Sequence, residues 1–423
     1  MLIAMRNNRK IGLALSGGGY RAAAYHLGTL RALHKLGVLD KVDVISSVSG
    51  GSIIAAYYML HKDNFEAFEN GFKKALSNGV ILWPFINLVV VLIAILASSI
   101  IFSPWLLFVW GVILYFFHFQ LLPISWIISC RYRKTFFGDT KLKDLPDCPT
   151  LVINSTDITS QHVFSFSKKR MYSYSYPKDG FNHEDFRISD AVMASSCVPF
   201  AFSPIRIKSK YMSATMNGIV PPLLIDGGVY DNQGAHNLTD KSSLYQCDDI
   251  IISDAGNDKI TSKGIWNLVI LLKRTSSLLM DRISKIQRQQ YLYINTFKNK
   301  RFAYIHLMWD EKENFIGRFV DSVSNGLVEK EVLDYHHITD EDVKRLNVKD
   351  TYEETKSELV EKLLSEIGYE QLNAVRVSGN QYDIARKVGT NLTSLSKAKI
   401  DALSNHAEWM TIVQIKLYMP FLI

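Results

Sequence analysis

Short apolar runs and longer amphipathic stretches alternate along this chain. Residues 11–15 are apolar and lead into three glycines, and residues 21–36 then carry apolar side chains at helical spacing. Residues 42–46 and 52–60 repeat this order. Short apolar runs are typical of buried strands, and apolar residues three and four apart are typical of helices. The pattern therefore predicts an α/β fold with a mostly parallel central sheet.

The same alternation resumes in the middle of the chain. Further strands are predicted at residues 151–154, 163–166, 223–225, 249–253 and 302–308. Further helices are predicted at residues 188–195, 263–296, 351–366 and 395–409. We assign residues 1–75 and 131–310 to one α/β domain, and residues 311–423 to a mainly helical C-terminal region that packs on it.

A long uncharged segment interrupts the domain. Residues 81–102 and 104–128 are apolar runs separated at Ser103, and each exceeds the roughly 20 residues that a membrane-spanning helix needs. Basic residues flank both ends, and the two parts of the domain must fold on one side of a membrane. Residues 76–130 are therefore predicted to form a hydrophobic hairpin that enters the bilayer and returns, leaving the α/β domain on the cytoplasmic side. A shallow hairpin and an apolar cap over the site are the alternatives; so much apolar surface disfavours the cap.

Composition and charge limit the possible partners. The chain of 423 residues is 48% hydrophobic and 21% charged, which indicates a folded protein, and its net charge of +7 is too moderate to indicate a nucleic-acid partner. The segment 263–301 is rich in Lys and Arg and contains one acidic residue, Asp281. This segment is either a solvated helix face or a surface for anionic lipid headgroups. The cysteines and histidines lack metal-site spacing, so no metal or cofactor is predicted.

Two glycine-rich motifs follow the first two predicted strands. Ser49 lies in Ser-Val-Ser-Gly-Gly, where small neighbours let a serine sit on a sharp strand-to-helix turn. Gly17, Gly18 and Gly19 form a loop whose amides, together with that of Gly50, can bind a developing oxyanion. The loop lacks the spacing of nucleotide-binding motifs. Ser49 is thus the candidate nucleophile.

Two charged residues complete the candidate site. Asp226 ends a predicted strand and precedes two glycines, so its carboxylate can act as the base for Ser49. Arg21 follows the glycine loop and either binds substrate or forms a salt bridge that caps the sheet. A Ser–His–Asp triad is the competing arrangement, for which His236 is the nearest histidine after Asp226.

These motifs, in this order, resemble those of the patatin-like phospholipases. That family combines a glycine-rich oxyanion loop followed by a basic residue, a G-x-S-x-G elbow and a D-G-[GA] aspartate that forms a Ser–Asp dyad. Residues 154–157, 193–199 and 226–232 are also similar to family segments, and Ser47 departs from the family glycine. The similarity spans about residues 10–260, apart from the insertion.

The resemblance implies a three-layer patatin-like fold and a defined chemistry. A membrane phospholipid or lysophospholipid would be cleaved at an acyl ester through an acyl-Ser49 intermediate, as in a phospholipase A or lysophospholipase, without a cofactor. Two alternatives remain at this point: an acyltransferase that uses the same dyad, and a catalytically idle membrane scaffold with the same fold. The intact residues Ser49 and Asp226 disfavour the scaffold.

Overall fold

A mixed α/β architecture, with about 56% helix, is found in the computed structural model of the protein. The structure describes residues 9–257, 264, 267–292, 300–309, 314–374 and 376–423. The strands are β1 (Ile11–Leu15), β2 (Val44–Val48), β3 (Thr150–Asp157), β4 (His162–Phe166), β5 (Met171–Tyr172), β6 (Ile205–Arg206), β7 (Leu223–Asp226), β8 (Asp249–Asp254) and β9 (Arg301–His306).

All nine strands of the described residues belong to one sheet, in which seven follow the order β5-β4-β3-β2-β1-β8-β9 and β6 and β7 lie off this path. Five neighbouring strands of this order, β3, β2, β1, β8 and β9, are parallel to one another. This confirms the predicted fold class. The remaining strands are antiparallel: β4 and β5 extend one edge, and β7 pairs with the last residues of β3, beyond the end of β2, and with β6. The carboxyl ends of β2 and β7 consequently meet beside β3.

Both faces of the sheet are covered, which explains the continuous apolar runs in its strands. Side chains alternate between the faces of a strand. In β8, Ile251 belongs to the larger of two hydrophobic cores, whereas its neighbours Ile250 and Ile252 belong to the smaller one. The sheet is therefore the middle layer of three.

Helices occupy most of the remaining described residues. They are α1 (Gly19–Lys35), α2 (Gly50–His61), α3 (Phe65–Leu76), α4 (Leu82–Ile101), α5 (Leu106–Leu121), α6 (Ile124–Tyr132), α7 (Ile188–Ser195), α8 (Gly228–Asp231), α9 (His236–Thr239), α10 (Leu268–Leu292), α11 (Phe315–Ser324), α12 (Lys330–Tyr335), α13 (Asp340–Leu346), α14 (Tyr352–Glu366), α15 (Tyr369–Ala374), α16 (Gly379–Lys387) and α17 (Lys397–Tyr418). The helix predicted at 263–296 is thus present as α10, although positions 263, 265–266 and 293–296 lie outside the described residues.

The second strand differs from its prediction by two residues. It was predicted at 42–46 and lies at Val44–Val48, ending one residue before Ser49. The strand continues through polar residues because their buried hydroxyls find partners: Ser46 Oγ donates to the Gly234 carbonyl oxygen at 2.5 Å, and Ser47 Oγ to that of Val152 at 3.4 Å.

The apolar insertion forms a helical pair that is shorter than the predicted hairpin. In α4 and α5, which contact each other, Trp110 Nε1 donates to Ser98 Oγ at 3.0 Å. From Ile124 onward the chain packs on the α/β domain instead: Ile128 is buried, and Ser129 Oγ donates to Asp190 at 2.5 Å. The predicted run 104–128 is therefore two helices with different surroundings.

Only one arm of this pair meets the requirements for a membrane span by itself. Among the described residues, α4 is the single helix of sufficient length and apolarity, with a mean hydropathy of 2.6 and 17% of that window buried. The second arm is long and apolar enough for a span only if Leu106–Phe117 and Phe119–Phe137 are taken together, and these two helices are bent by 87° relative to each other. Many apolar side chains of both arms are exposed and are not buried against the α/β domain.

The last helix, α17, lies along α1 beneath the glycine-rich loop. A Cβ at Gly28 would overlap the Ser404 carbonyl oxygen, so glycine permits this close approach. Arg31 joins the two helices further by donating to Glu408 at 2.7 Å. The C-terminal region thereby supports the helix that begins in the candidate oxyanion loop.

Candidate active site

Ser49 lies on a sharp turn between β2 and α2. Its backbone has φ 51° and ψ −116°, outside the regions favoured by residues with a side chain, and the residue is only 5% exposed. Such strain persists only where the surroundings enforce it, and it is typical of a nucleophile elbow. Ser47, where the family has glycine, lies within β2 and does not have a positive φ, so a serine fits there.

Ser195, at the end of α7, holds this turn in place. Its hydroxyl accepts a hydrogen bond from the Ser49 amide at 2.9 Å and donates to the Asn154 carbonyl oxygen at 2.6 Å. It also lies 2.9 Å from Ser52 Oγ. The Ser-Ser-Cys sequence at 195–197 had marked this segment as similar to the family, but it did not indicate contact with Ser49.

The glycine loop packs directly against the elbow. A Cβ at Gly50 would overlap the backbone of Gly19, which brings the two glycine motifs into backbone contact. Among the described residues, no group accepts a hydrogen bond from the amides of Gly18, Gly19 or Gly50. Three of the four predicted oxyanion donors are therefore available in one place.

Gly17 differs from the other three predicted donors. Its amide donates to the Asn232 carbonyl oxygen at 2.9 Å, so it cannot also point at an oxyanion. A Cβ here would overlap Asn232 Oδ1 and lie 3.3 Å from Ser49 Cβ. The absence of a side chain at Gly17 thus allows the close approach of Ser49 and Asn232.

Arg21 is buried under the loop rather than exposed to solvent. Its Nε donates to the Ala255 carbonyl oxygen at 3.0 Å, beyond the end of β8. Burial lowers its pKa to about 10, while the nearby Asp254 opposes that change. A Cβ at Gly18 would lie 3.0 Å from Arg21 Nη2, so the guanidinium lies close to the loop backbone. Arg21 therefore supports the loop from below through the Ala255 carbonyl oxygen, and its role in substrate binding stays a prediction.

Asp226 lies at the end of β7, next to Ser49. Burial raises the pKa of this carboxyl group to about 6, and hydrogen bonds from the Gly228 amide and the Ser49 hydroxyl oppose the rise. The Gly228 amide donates to Oδ1 at 2.7 Å. The strand position, the turn after it and the bond to Ser49 together orient the carboxylate as a proton acceptor.

The one histidine considered for a triad has other neighbours. The ring of His236 packs edge-to-face on Tyr230 at 5.1 Å, and its Nε2 lies 3.9 Å from Asp240. No described contact joins it to Ser49 or Asp226. The structure thus brings Ser49 and Asp226 together without a histidine between them.

Two distant segments also contact the site, and no sequence signal had indicated them. The Asn391 carbonyl oxygen accepts a hydrogen bond from the Tyr20 amide at 2.9 Å, and a Cβ at Gly19 would overlap it. From α10, the Met280 methyl group lies 2.8 Å from a Cβ position at Gly228. No group of three or more potential metal ligands occurs within the described ranges.

A sequence model of the patatin-like phospholipases matches residues 13–239. The chain therefore belongs to the patatin-like phospholipase family, and this membership supports lipid hydrolase function. Comparison with curated protein sequences gives no match.

Several solved structures are similar to this chain. Human GIVD cytosolic phospholipase A2 with methyl gamma-linolenyl fluorophosphonate has 13% identity and a TM-score of 0.44, over 98% of this chain and 58% of that chain. VipD from Legionella pneumophila has 14% identity and a TM-score of 0.32, over 96% of this chain and 91% of that chain. ExoU from Pseudomonas aeruginosa has 14% identity and a TM-score of 0.26, over 96% of this chain and 70% of that chain. The chain thus spans little more than half the length of the human enzyme.

Proposed function

We propose that this protein is a membrane-associated serine lipid acyl hydrolase that cleaves phospholipid or lysophospholipid esters with a Ser49–Asp226 dyad. The observation that carries the proposal is the strained backbone of Ser49 beside the buried carboxyl group of Asp226. A buried acid whose pKa lies near 6 is mostly ionised at neutral pH and still basic enough to accept a proton. A surface serine beside a solvated aspartate would have neither the strained backbone of Ser49 nor the raised pKa of Asp226.

The reaction proceeds in two halves. Ser49 Oγ attacks the ester carbonyl carbon while Asp226 takes the hydroxyl proton, and the amides of Gly18, Gly19 and Gly50 stabilise the oxyanion. The proton on Asp226 then passes to the departing alcohol, which leaves an acyl-Ser49 ester. Water attacks that ester with Asp226 again as base, and the fatty acid leaves as Ser49 recovers its proton.

Activity-based labelling tests the nucleophile. A fluorophosphonate probe is expected to label the wild-type protein and to leave Ser49→Ala unlabelled. Ser242→Ala removes an exposed serine and is the matched control, so it should be labelled like the wild type. Equal labelling of Ser49→Ala and the wild type would show that another residue is the nucleophile. Release of free fatty acid from a panel of lipid vesicles separates hydrolysis from acyl transfer.

The exposed helical pair α4–α5 supports membrane association. The most exposed apolar side chains lie at its tip: Ile100 is 82% exposed, Phe102 78% and Trp105 79%. At 1.5 Å per residue, a helix of the length of α4 reaches about 30 Å, the thickness of a bilayer core. Exposed apolar surface of this extent is unfavourable in water, so the tip enters the lipid and both ends return to the α/β domain on the cytoplasmic side.

Carbonate extraction tests this anchor. The full-length protein is expected in the membrane pellet, whereas a variant with Ile100, Phe102 and Trp105 replaced by Asp should move to the supernatant because charged side chains enter lipid at high free energy. Val348→Asp is the control, since Val348 is an exposed apolar residue on the C-terminal region. Recovery of wild type in the supernatant would contradict anchoring.

A further inference from the structure

A basic cleft lies at the edge of the sheet beside β5. It has a volume of about 980 Å³, and its walls are the β4–β5 turn, the loop before α7 and the short turn Ser209–Tyr211. Six Lys or Arg residues line it against three Asp or Glu residues. The six are Lys141, Lys169, Arg170, Lys178, Arg187 and Lys210.

The cleft is separate from the Ser49 site. Phe166, the last residue of β4, pairs with Ile153, and the chain then turns towards the amino-terminal end of β3. The side chain of Lys168, in that turn, pairs with Asp147, which precedes β3, at 3.0 Å. Ser49 and Asp226 lie at the opposite, carboxyl-terminal ends of their strands, so a ligand in the cleft would not occupy the acyl site.

Arg170 is the most firmly positioned cation in the cleft. Its guanidinium carbon lies 4.1 Å from the centre of the Tyr172 ring and 5.6 Å from that of Tyr245. The Tyr245 hydroxyl is in turn 2.9 Å from Ser167 Oγ, which accepts a hydrogen bond from the Arg170 amide. Contact with two aromatic rings restricts the guanidinium without using its hydrogen-bond donors. One of these donors, Nε, is buried and has no partner.

The other cations are also largely free of carboxylates. Within the part of the chain that the structure describes, only Lys141 of the six forms an ion pair, with Asp185 at 2.7 Å. Lys210 Nζ instead lies 4.6 Å from the centre of the Tyr211 ring. Like charges brought together around a concave surface repel one another unless an anion joins them.

We propose that this cleft binds a ligand that carries two or more phosphate groups, with Arg170 as its central contact. Guanidinium groups donate paired hydrogen bonds to phosphate oxygens, and the unsatisfied Nε and the surrounding lysines suit several negative charges better than one. A soluble polyphosphate and a phosphorylated lipid headgroup share this chemistry, and competition distinguishes them. The site is independent of the dyad and adds a second ligand to the protein.

Calorimetry of the full-length protein in neutral detergent, with tripolyphosphate as the probe, tests the proposal. Arg170→Gln and Lys210→Gln are each expected to weaken binding by about tenfold or more, since each removes a charge-assisted hydrogen bond. Lys210 is exposed, so its variant is expected to fold even if Arg170→Gln does not. Lys344→Gln, which removes a cation that is 75% exposed on α13, should bind like the wild type.

Competition assigns the source of the phosphate. Displacement of tripolyphosphate by micelles that contain phosphatidylinositol bisphosphate, but not by phosphatidylcholine micelles, would identify a phosphorylated lipid headgroup; displacement by neither lipid would favour a soluble polyphosphate. The proposal is overturned if millimolar tripolyphosphate does not bind, or if the Arg170, Lys210 and Lys344 variants all bind like the wild type.

Discussion

Replacing Asp226 with asparagine should inactivate the protein and stabilise its fold at the same time. Asparagine has the same shape and can still accept the hydrogen bond that the Gly228 amide makes to Oδ1 at 2.7 Å. It cannot take the proton of Ser49, and a general base contributes about 10²–10⁴ to the rate. We therefore expect kcat to fall by about that factor while the structure is retained.

The stabilisation follows from the pKa of Asp226. Burial raises it from 3.8 to about 6, so folding favours the protonated carboxyl group. This contribution is fully present below pH 3.8 and is lost as the pH rises through about 6. A tenfold change in proton affinity corresponds to about 1.4 kcal/mol, so the loss is about 3 kcal/mol at neutral pH. Asparagine is always neutral and avoids this loss.

Urea unfolding of the full-length protein in detergent, followed by tryptophan fluorescence, measures the effect. Asp226→Asn should exceed the wild type by about 3 kcal/mol at pH 7 and match it near pH 3.5. Asp185→Asn is the opposite control, because Lys141 and Lys143 lower the pKa of Asp185 to about 2. Removing the negative charge of Asp185 should therefore not stabilise the protein. Equal stability of the Asp226→Asn and wild-type proteins at pH 7 would refute the burial argument.

Other predictions concern the same site. For the wild type, kcat/KM should rise with pH with a midpoint near 6, as Asp226 ionises; a flat profile from pH 5 to 8 would contradict its role as base. Ser195→Ala should lower kcat at least about tenfold, because the buried Ser49 amide loses its hydrogen-bond acceptor. Unchanged kcat would show that the Ser49 turn does not depend on Ser195. Gly50→Ala should abolish activity by displacing Gly19, as measured by fluorophosphonate labelling, and full labelling would contradict this. Folded His236→Ala should stay active, and an inactive variant would favour a triad.

Much of the fold was predictable because its signals are local. The strands and helices around Ser49 and Asp226 follow apolar runs with glycine pairs shortly after them, and the predicted helix 188–195 corresponds to α7 without a change of bounds. The prediction failed where a second element decides the conformation. The apolar run 104–128 gave no sign of the 87° bend next to Phe117, nor of the packing on the α/β domain that begins further along, where Ile128 is buried.

By itself, the sequence determined the α/β class, the apolar insertion and the identity of the candidate nucleophile and base, because residue type and spacing define each of them. Only the tertiary structure decided which groups meet. The Gly17 amide is already bonded to Asn232, Arg21 lies beneath the loop, and Ser195 holds the Ser49 turn. Hydrogen bonds between segments far apart in the chain depend on strand order and helix packing, and local patterns do not specify these.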